Sequence, residues 1–277
     1  MKDNPLVSIV IPTYNSERTI DVCLKSLRKQ SYPNIEIIVI DNYSKDRTRE
    51  VAEKLGAKVL QLDAERAEAK NFGLKKAGGK YVCFIDSDME LTKNVIEECV
   101  NLIESDEKLG GIIIPERSVG GSFWVKVRDF ERSFYAGTEI ESARFFRKDL
   151  VERVNGFDGE IVAFEESTLP QKIEKLGYNV KARISAEILH HEENFSLWKW
   201  LKKKFYYVKS ASKYKEKFGE YANKQMNIFY RFLIFLKNKR FYSKPLLAVG
   251  VVVLKILEYF SAGIGFLVSK VTKCRDV

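Results

Sequence analysis

Two aspartates, two positions apart, follow a short apolar run in the first third of this chain. The run is Tyr81–Ile85 (Tyr-Val-Cys-Phe-Ile), and Asp86-Ser87-Asp88 comes directly after it. Such a run is typical of a buried strand in a parallel sheet, and ligands bind at the carboxyl ends of such strands. Two carboxylates there repel each other unless a cation lies close by. An incomplete set of oxygen ligands suits Mg²⁺ or Mn²⁺, with water and substrate phosphates completing it. The alternative is a solvated turn, where Asp and Ser are common.

Two earlier apolar runs also end in polar residues. Leu6–Ile11 leads into Pro12-Thr13-Tyr14-Asn15, and 34–40 leads into Asp41-Asn42-Tyr43-Ser44-Lys45-Asp46. Turn chemistry explains either cluster alone. It does not explain both together with the acidic pair, so we expect the three strand ends to share one cleft.

Strand and helix patterns alternate along this part of the chain. Apolar residues recur at helical spacing in 17–30, and glycines close two further helices near 47–55 and 64–77. The strands predicted between them lie at 6–11, 34–40, 58–62 and 81–85. Further helices are predicted at 94–104, 123–134, 148–154 and 167–176, and further strands at 111–115, 143–147 and 178–188. This alternation predicts an α/β fold with a doubly wound, mostly parallel sheet and right-handed crossovers.

The composition is that of a globular protein with a basic C-terminal part. The chain has 277 residues, of which 45% are hydrophobic and 31% charged, which excludes general disorder. The net charge is +9, and most of the excess lies between Lys199 and Lys244. These basic residues alternate with aromatics beside an apolar segment rather than on the sheet. That pattern favours an anionic membrane surface over nucleic acid.

The cysteines and the N-terminus favour a cytosolic setting. Cys23, Cys83, Cys99 and Cys274 have no metal-ligand spacing, and we expect reduced thiols in the core. A predicted strand starts after five residues, and we expect no signal peptide before it.

The last third of the chain predicts helices with membrane-like composition. Residues 196–244 form a basic, aromatic, amphipathic helical segment, and 245–277 an apolar helix and tail, after a domain of residues 1–195. The 23 residues of 246–268 reach across ~30 Å at ~1.5 Å per residue. Lys255 and Glu258 interrupt the run one helical turn apart, where they can pair. A spanning helix, a helix in the membrane interface and a soluble packing helix all remain open.

The order and spacing of these clusters resemble glycosyltransferase family 2, whose members are inverting enzymes with the GT-A fold. The resemblance covers roughly residues 5–195. The matching segments are 8–15, 40–48, Ala69-Lys70-Asn71-Phe72-Gly73 and 84–88, the last containing the family's DxD motif. Asn42 stands where the family usually has Asp, and Lys70 where it usually has Arg. Lysine keeps the charge but loses the planar fork.

The resemblance implies roles for these residues toward a nucleotide-sugar donor. Thr13 and Tyr14 line the nucleotide pocket with Pro12 and Asn15, Asp41 contacts the base, and Lys70 lies on the donor side. Asp86 faces the ribose and the metal, and Asp88 ligates the Mn²⁺ or Mg²⁺ that bridges the diphosphate.

The resemblance also implies an acidic pair on the acceptor side. Glu165-Glu166 stands where the family has a pair of acids opening a helix, and the second acid, here Glu166 in place of the commoner Asp, is the catalytic base. An acid at a helix N-terminus also favours the macrodipole, which explains Glu165 equally well.

The two histidines, His190 and His191, follow the last predicted strand region. The family often places a late metal-contacting histidine there, and His191 is the residue that we name for it. The alternative is two loop histidines packed against the aromatic segment.

The implied function is an inverting glycosyltransferase with a membrane-associated catalytic domain on the cytoplasmic face. It would move a sugar from a UDP- or GDP-sugar to a hydroxyl of a polyprenyl- or lipid-linked saccharide by metal-assisted direct displacement. Two alternatives remain: a polyprenyl-phosphate sugar synthase, whose acceptor needs no base, and a non-catalytic sugar-nucleotide-binding membrane protein.

Overall fold

The structure, a computed structural model, describes residues 4–193 and 195–273. Cys274 and the rest of the predicted C-terminal tail lie outside the described residues. The chain forms two compact units. The first unit comprises Met1–Arg117, Glu141–Gly159 and Glu165–His191, and the second comprises Ser118–Ile140, Glu160–Phe164 and Glu192–Val277.

A seven-stranded sheet forms the centre of the first unit. The strands of the chain are β1 (Val7–Thr13), β2 (Ile35–Asp41), β3 (Lys58–Gln61), β4 (Tyr81–Phe84), β5 (Met89–Leu91), β6 (Gly111–Ile113), β7 (Glu116–Val119), β8 (Phe145–Arg147), β9 (Ala182–Arg183) and β10 (Ile188–His191). The sheet has the order β3-β2-β1-β4-β8-β6-β9. Only β8 runs antiparallel to its neighbours, β4 and β6. The predicted doubly wound, mostly parallel sheet is therefore confirmed.

Helices cover both faces of this sheet. The helices of the first unit are α1 (Ile20–Arg28), α2 (Thr48–Lys54), α3 (Arg66–Lys76), α4 (Val95–Ser105), α6 (Lys148–Arg153) and α7 (Glu165–Glu174), with α5 (Phe123–Arg132) belonging to the second unit. Because side chains alternate along a strand, Ile9 and Ile11 of β1 face one core and Val10 faces the other. All three are fully buried, as the continuous apolar run of β1 predicts.

The structure corrects three local expectations. The strand region predicted at 178–188 is two short strands, β9 and β10, and the two histidines lie inside β10 rather than after it. β5 and β7 were not predicted, and with β10 they form a second sheet of order β5-β10-β7. Strands of three or four residues are too short to show a period. Helix α7 begins at Glu165, two residues earlier than predicted, so the acidic pair occupies its first turn.

The second unit is helical. Besides α5 it contains α8 (Leu197–Met226), α9 (Ile228–Leu236), α10 (Lys239–Tyr242) and α11 (Pro245–Lys273). Aromatic side chains of α5, α9 and α10, including Phe130, Phe235 and Phe241, form its core together with Val251 and Leu254 of α11. Among the described residues, one helical segment, Pro245–Val268, is long and apolar enough to cross a membrane, with a mean hydropathy of 1.9 over 24 residues. Length and composition are the only grounds for that statement.

The start of β4 depends on a glycine that lies against backbone. A Cβ atom at Gly79 would come within 2.6 Å of the Leu6 carbonyl oxygen and 2.8 Å of the Ser8 nitrogen. The backbone of Leu6, just before β1, and of Ser8, within β1, cannot move aside without disturbing the pairing of β1 with β4. We therefore expect Gly79→Ala to lower the free energy of unfolding by about 1–3 kcal/mol in urea denaturation. Gly121→Ala is the control, because a Cβ there meets nothing within 4 Å, and a similar loss in both variants would contradict this account.

Candidate active site

The acidic pair lies in a turn that follows β4 at the carboxyl edge of the sheet. Phe84 is the last residue of β4, and the Met89 N–H donates to the Asp86 carbonyl oxygen at 3.1 Å to close the turn. Ser87 Oγ donates to Ser16 Oγ at 2.9 Å, which ties this turn to the segment after β1. Asp86 and Asp88 therefore lie at the same edge as the polar cluster that begins at Pro12.

One carboxylate oxygen of each aspartate is buried without a donor. Asp86 Oδ1 and Asp88 Oδ1 have no hydrogen-bond partner among the described residues. A buried carboxylate oxygen without a partner is costly, and such oxygens in native proteins call for an explanation such as a bound ion.

Arg144 supplies positive charge beside Asp86. Its Nη1 lies 3.9 Å from Asp86 Oδ2, and its Nε lies 2.5 Å from Glu116 Oε1. Burial alone would raise the pKa of Asp86, but Arg66, Lys70 and Arg144 hold that pKa well below its usual range. Asp86 is therefore ionised at neutral pH.

His190 is the histidine whose ring lies beside the acidic pair. Its Nε2 lies 3.1 Å from Asp88 Oδ2, and its Nδ1 lies 3.9 Å from Glu116 Oε2. Side chains alternate along β10, so the neighbouring ring of His191 points elsewhere and lies with Nε2 at 2.8 Å from Glu90 Oε2. His191, the residue named from the sequence, contacts Asp88 through its backbone N–H, which donates to the Asp88 carbonyl oxygen at 2.8 Å.

The two acids at the start of α7 have different surroundings. Glu165 is 5% exposed, and its Oε1 lies 2.9 Å from Nζ of Lys70, which is 1% exposed. Burial raises the pKa of Glu165, although Lys70 opposes this. The side chain of Glu166 is 43% exposed, and its Oε1 lies 4.0 Å from Arg66 Nη1. Glu165 is thus an internal partner of Lys70, and Glu166 is the acid open to solvent.

Glu166 belongs to the same charged cluster as Asp86. Burial opposes the charge on Arg144, but the carboxylates of Glu116, Glu166 and Asp86 raise its pKa, so its guanidinium stays charged. The acid of α7 and the acid after β4 therefore act on one buried cation.

The loops after β1 and β2 are joined by hydrogen bonds. The Asn15 N–H donates to Ser44 Oγ at 2.9 Å, and Asn15 Oδ1 accepts from the Lys45 N–H at 2.8 Å. Asn15 and Tyr43 both have positive φ, 48° and 51°, a conformation typical of tight polar loops. Hydrogen bonds thus join the two clusters that the sequence analysis singled out into one rim.

Asp41 is fully buried within this rim and already has partners. It accepts from the Ser44 N–H at 3.2 Å and from Gln61 Nε2 at 3.2 Å. Asn42 donates to the Ala64 carbonyl oxygen at 3.3 Å. Tyr14 and Tyr43 remain 56% and 55% exposed, so the rim offers two aromatic rings to solvent.

The sequence analysis missed Arg66, Glu116 and Arg144. All three are ordinary charged residues in their local sequence, and only the tertiary fold brings them to the acidic pair. Within residues 4–193 and 195–273, no group of three or more His, Cys, Asp or Glu side chains is arranged to hold a metal ion. Asp86 and Asp88 alone offer two carboxylates, and Mg²⁺ or Mn²⁺ is commonly held by one or two carboxylates together with substrate phosphates.

Comparison with known proteins identifies the family. The model of glycosyl transferase family 2 matches residues 8–158, which include both loops of the rim, the acidic pair and Arg144. The chain belongs to glycosyl transferase family 2. The resemblance noted in its motifs is therefore confirmed, and the family is one of transferases.

Curated relatives of this family-2 chain are named glycosyltransferases. The Escherichia coli protein WfgD, a UDP-Glc:α-D-GlcNAc-diphosphoundecaprenol β-1,3-glucosyltransferase, is 38% identical over 106 residues, 36% of this chain and 42% of the relative. The Staphylococcus aureus poly(ribitol-phosphate) β-N-acetylglucosaminyltransferase TarS is 37% identical over 106 residues, 35% of this chain and 18% of TarS. In both cases the match spans less than half the length of the relative.

Solved structures show the same GT-A fold. A mannosyltransferase from Pyrobaculum calidifontis, in complex with GDP-Man and Mn²⁺, superposes with a TM-score of 0.67 at 18% identity, covering 96% of this chain and 88% of that one. A fragment of Staphylococcus aureus TarS in complex with UDP-GlcNAc superposes with a TM-score of 0.59 at 20% identity, covering 91% and 81%. At these identities the likeness concerns the fold.

The buried ion pair of Lys70 and Glu165 can be tested by measuring the free energy of unfolding of single and double variants. We expect Lys70→Met to lower the free energy of unfolding by about 3–5 kcal/mol, because it leaves the buried Glu165 with only the more distant Arg66 Nε, 3.8 Å from its Oε1, as a cation. The double variant Lys70→Met/Glu165→Leu should recover most of that loss in urea denaturation. Lys25→Met is the control, since the Lys25–Asp21 pair is exposed and contributes about 0–1 kcal/mol. Additive losses in the double variant would show that the two side chains are not coupled.

Proposed function

We propose that this chain is an inverting glycosyltransferase that moves a sugar from a UDP- or GDP-sugar to a hydroxyl of a polyprenyl- or lipid-linked saccharide. One observation carries the proposal. The unpartnered carboxylate oxygens of Asp86 and Asp88 lie at the sheet edge beside the rim of the β1 and β2 loops, with the open acid Glu166 in the same charged cluster. A donor site, a charge-neutralising site and a general base are the parts that such a reaction needs.

The rim binds the nucleotide in this proposal. Pro12 and Thr13 end β1 and Asn15 lies in the loop after it, and Thr13 Oγ1 is a buried hydroxyl without a partner among the described residues. A ligand group in the rim would satisfy it. Tyr14 and Tyr43 supply exposed aromatic faces, and a nucleobase has a π-face to stack on them. Asp41 fixes the conformation of the rim by accepting a hydrogen bond from the Ser44 N–H. In this proposal a carboxylate oxygen of Asp41 that still has a free lone pair also accepts a hydrogen bond from the nucleobase.

In this proposal Asp88 and Asp86 hold a divalent cation together with the phosphates of the donor, and the ring of His190 lies beside Asp88. We assign the imidazole role to His190 rather than His191, because the ring of His190 lies against Asp88. When bound, Mn²⁺ or Mg²⁺ stabilises the negative charge that develops on the departing nucleoside diphosphate. Lys70 and Arg66 add positive potential at Asp86, which attracts the diphosphate as the donor enters.

Glu166 is the general base in this proposal. Its carboxylate accepts the proton of the acceptor hydroxyl, whose oxygen attacks the anomeric carbon from the face opposite the diphosphate. Attack from that face inverts the anomeric configuration. Glu165 cannot share this role while it is buried against Lys70, and it instead fixes the first turn of α7.

The acceptor is assigned by analogy and by composition. WfgD is named for an acceptor with a diphosphoundecaprenol anchor. The second unit of this chain carries a long apolar helix and most of the basic excess. A lipid-linked acceptor at a membrane surface fits both features, and we propose the cytoplasmic face as the place where the catalytic domain works.

We expect Glu166→Gln to lower kcat for transfer to a saccharide hydroxyl by about 10²–10⁴-fold, because glutamine cannot accept the proton. The Kd for the donor should stay unchanged, since Glu166 is not part of the rim. Initial rates with radiolabelled UDP- and GDP-sugars and a lipid-linked acceptor measure the first quantity, and calorimetry the second.

Glu152→Gln is the matched control, because Glu152 is a half-exposed acid of the same unit whose Oε1 contacts Lys148 at 2.9 Å. A full rate in Glu166→Gln with a polyprenyl-phosphate acceptor would support the synthase instead. Absence of any donor turnover in the unaltered enzyme with Mn²⁺ would support a non-catalytic binding protein.

A further inference from the structure

The outward face of α11 is an uninterrupted apolar stripe. Seven of its residues recur every three or four positions, which places them on one side of the helix. They are Leu246, Val249, Val253, Ile256, Phe260, Ile264 and Leu267. Their exposed fractions run from 39% at Val253 to 71% at Leu246. Soluble proteins rarely leave so continuous an apolar surface to water, and where they do it marks a binding site.

The charged residues of α11 lie on its inward face. Lys255 and Glu258 are the only charged residues between Pro245 and Val268. Lys255 is 4% exposed and contacts Glu131 of α5 and Glu258, whose Oε2 lies at 2.7 Å. Glu258 also accepts from Trp200 Nε1 of α8 at 2.6 Å. A surface helix of a soluble protein usually turns its apolar face to the core and its charged face to water. In α11 the charged residues face the core and the apolar residues face outward.

Helices α5 and α8 cover the inward face along most of its length. A Cβ at Gly250 would meet a Val127 methyl group at 2.5 Å, and one at Gly265 would meet the Phe205 carbonyl oxygen at 2.6 Å. The close contact thus runs from residue 250 to residue 265, about 22 Å at ~1.5 Å per residue. Only the opposite side of α11 is left for a partner.

Because α5 and α8 pack along one side of α11, they limit the orientations in which α11 can contact a lipid bilayer. The part of α8 beside α11 carries Lys202 and Lys203, both exposed. If α11 spanned the membrane, α8 would have to enter the hydrocarbon with it, and lysines there are costly. A helix lying in the membrane plane keeps its charged side in water and buries only its apolar stripe.

The basic residues just before α11 favour a partner with a negatively charged surface. Lys237, Lys239, Arg240 and Lys244 are all exposed, and the eight residues 237–244 contain no acid. A second copy of this chain would bring no countercharge on the same surface. Anionic headgroups supply it, and each basic residue near such a surface adds to binding.

We propose that α11 lies in the plane of an anionic lipid bilayer, with its apolar stripe among the acyl chains and residues 237–244 on the headgroups. Helix α9 carries a second exposed apolar set, Phe229, Leu233 and Leu236, also spaced by three or four residues. The docking does not depend on the transferase activity. Its consequence, that the enzyme works where a lipid-linked acceptor resides, rests on the function proposed above.

The full-length protein is tested by flotation with phosphatidylcholine vesicles, with and without phosphatidylglycerol, in the absence of donor and acceptor. We expect stronger flotation with the anionic vesicles and a weakening of that difference by salt. The double variant Ile256→Lys/Phe260→Lys should bind at least about 10-fold more weakly, although it adds positive charge. Leu176→Lys is the matched control, because Leu176 is an exposed apolar residue of the first unit, 41% exposed.

Equal circular dichroism melting curves for the variants and the parent protein show that binding, not folding, has changed. Unaltered vesicle binding in the Ile256→Lys/Phe260→Lys variant would overturn the proposal. So would absence of vesicle binding by the parent protein together with a concentration-dependent dimer that the double variant abolishes. Because no substrate is present, failure of the proposed transferase activity leaves this result unaffected.

The orientation of α11 is measured with spin labels at Leu246→Cys, Ile256→Cys and Leu267→Cys in a Cys274→Ser background. Labelling is expected to be confined to the new thiols because Cys23, Cys83 and Cys99 are buried. A helix in the membrane plane gives three similar depths, within about 5–10 Å of the headgroup boundary. A gradient with Ile256 at the bilayer centre would show a spanning helix and overturn the proposal.

Discussion

Negative charge at the end of a buried strand must be neutralised, and the first unit is arranged to do so. Asp86 and Asp88 lie in the turn after β4, where partial burial strengthens the field of each carboxylate. Arg144 supplies positive charge beside Asp86, and the ring of His190 lies against Asp88. One oxygen of each aspartate is still left without a donor among the described residues. These unpartnered oxygens are the reason for which we propose that a cation and a diphosphate bind at this edge.

The sheet and the rim could be predicted from patterns within short stretches of sequence. The site residues that the sequence analysis missed are placed by contacts between residues far apart in the sequence. The strands up to β4 are continuous apolar runs that end in polar turns, so their positions and the nearness of Thr13, Asp41 and Asp86 follow from period and topology. Arg144 reaches Asp86 only because β8 enters the sheet antiparallel beside β4, and nothing in its neighbours signals this. The choice between His190 and His191 depends on the register of β10 with β5, a strand of three residues that shows no period.

The same limit applies to the helices of the second unit. Sequence showed that Lys255 and Glu258 interrupt an apolar segment and can pair. It did not show that both are turned inward, because that depends on Glu131 and Trp200 from two other helices. Charge buried within the protein and apolar surface turned outward is an arrangement suited to a partner more apolar than water. In this account a transferase fold carries its own means of attachment to the surface where its acceptor is found.

The central claim is that a divalent ion held after β4 binds the diphosphate of the nucleotide. Titration calorimetry of UDP and GDP with and without Mn²⁺ tests it most directly in the parent protein, in Asp88→Asn and in Glu90→Gln, whose altered side chain contacts His191 instead of the acidic pair. The account predicts that Mn²⁺ strengthens nucleotide binding at least about 10-fold in the parent protein and in Glu90→Gln, and that Asp88→Asn loses this gain. The same Mn²⁺ dependence in Asp88→Asn as in the parent protein would contradict it.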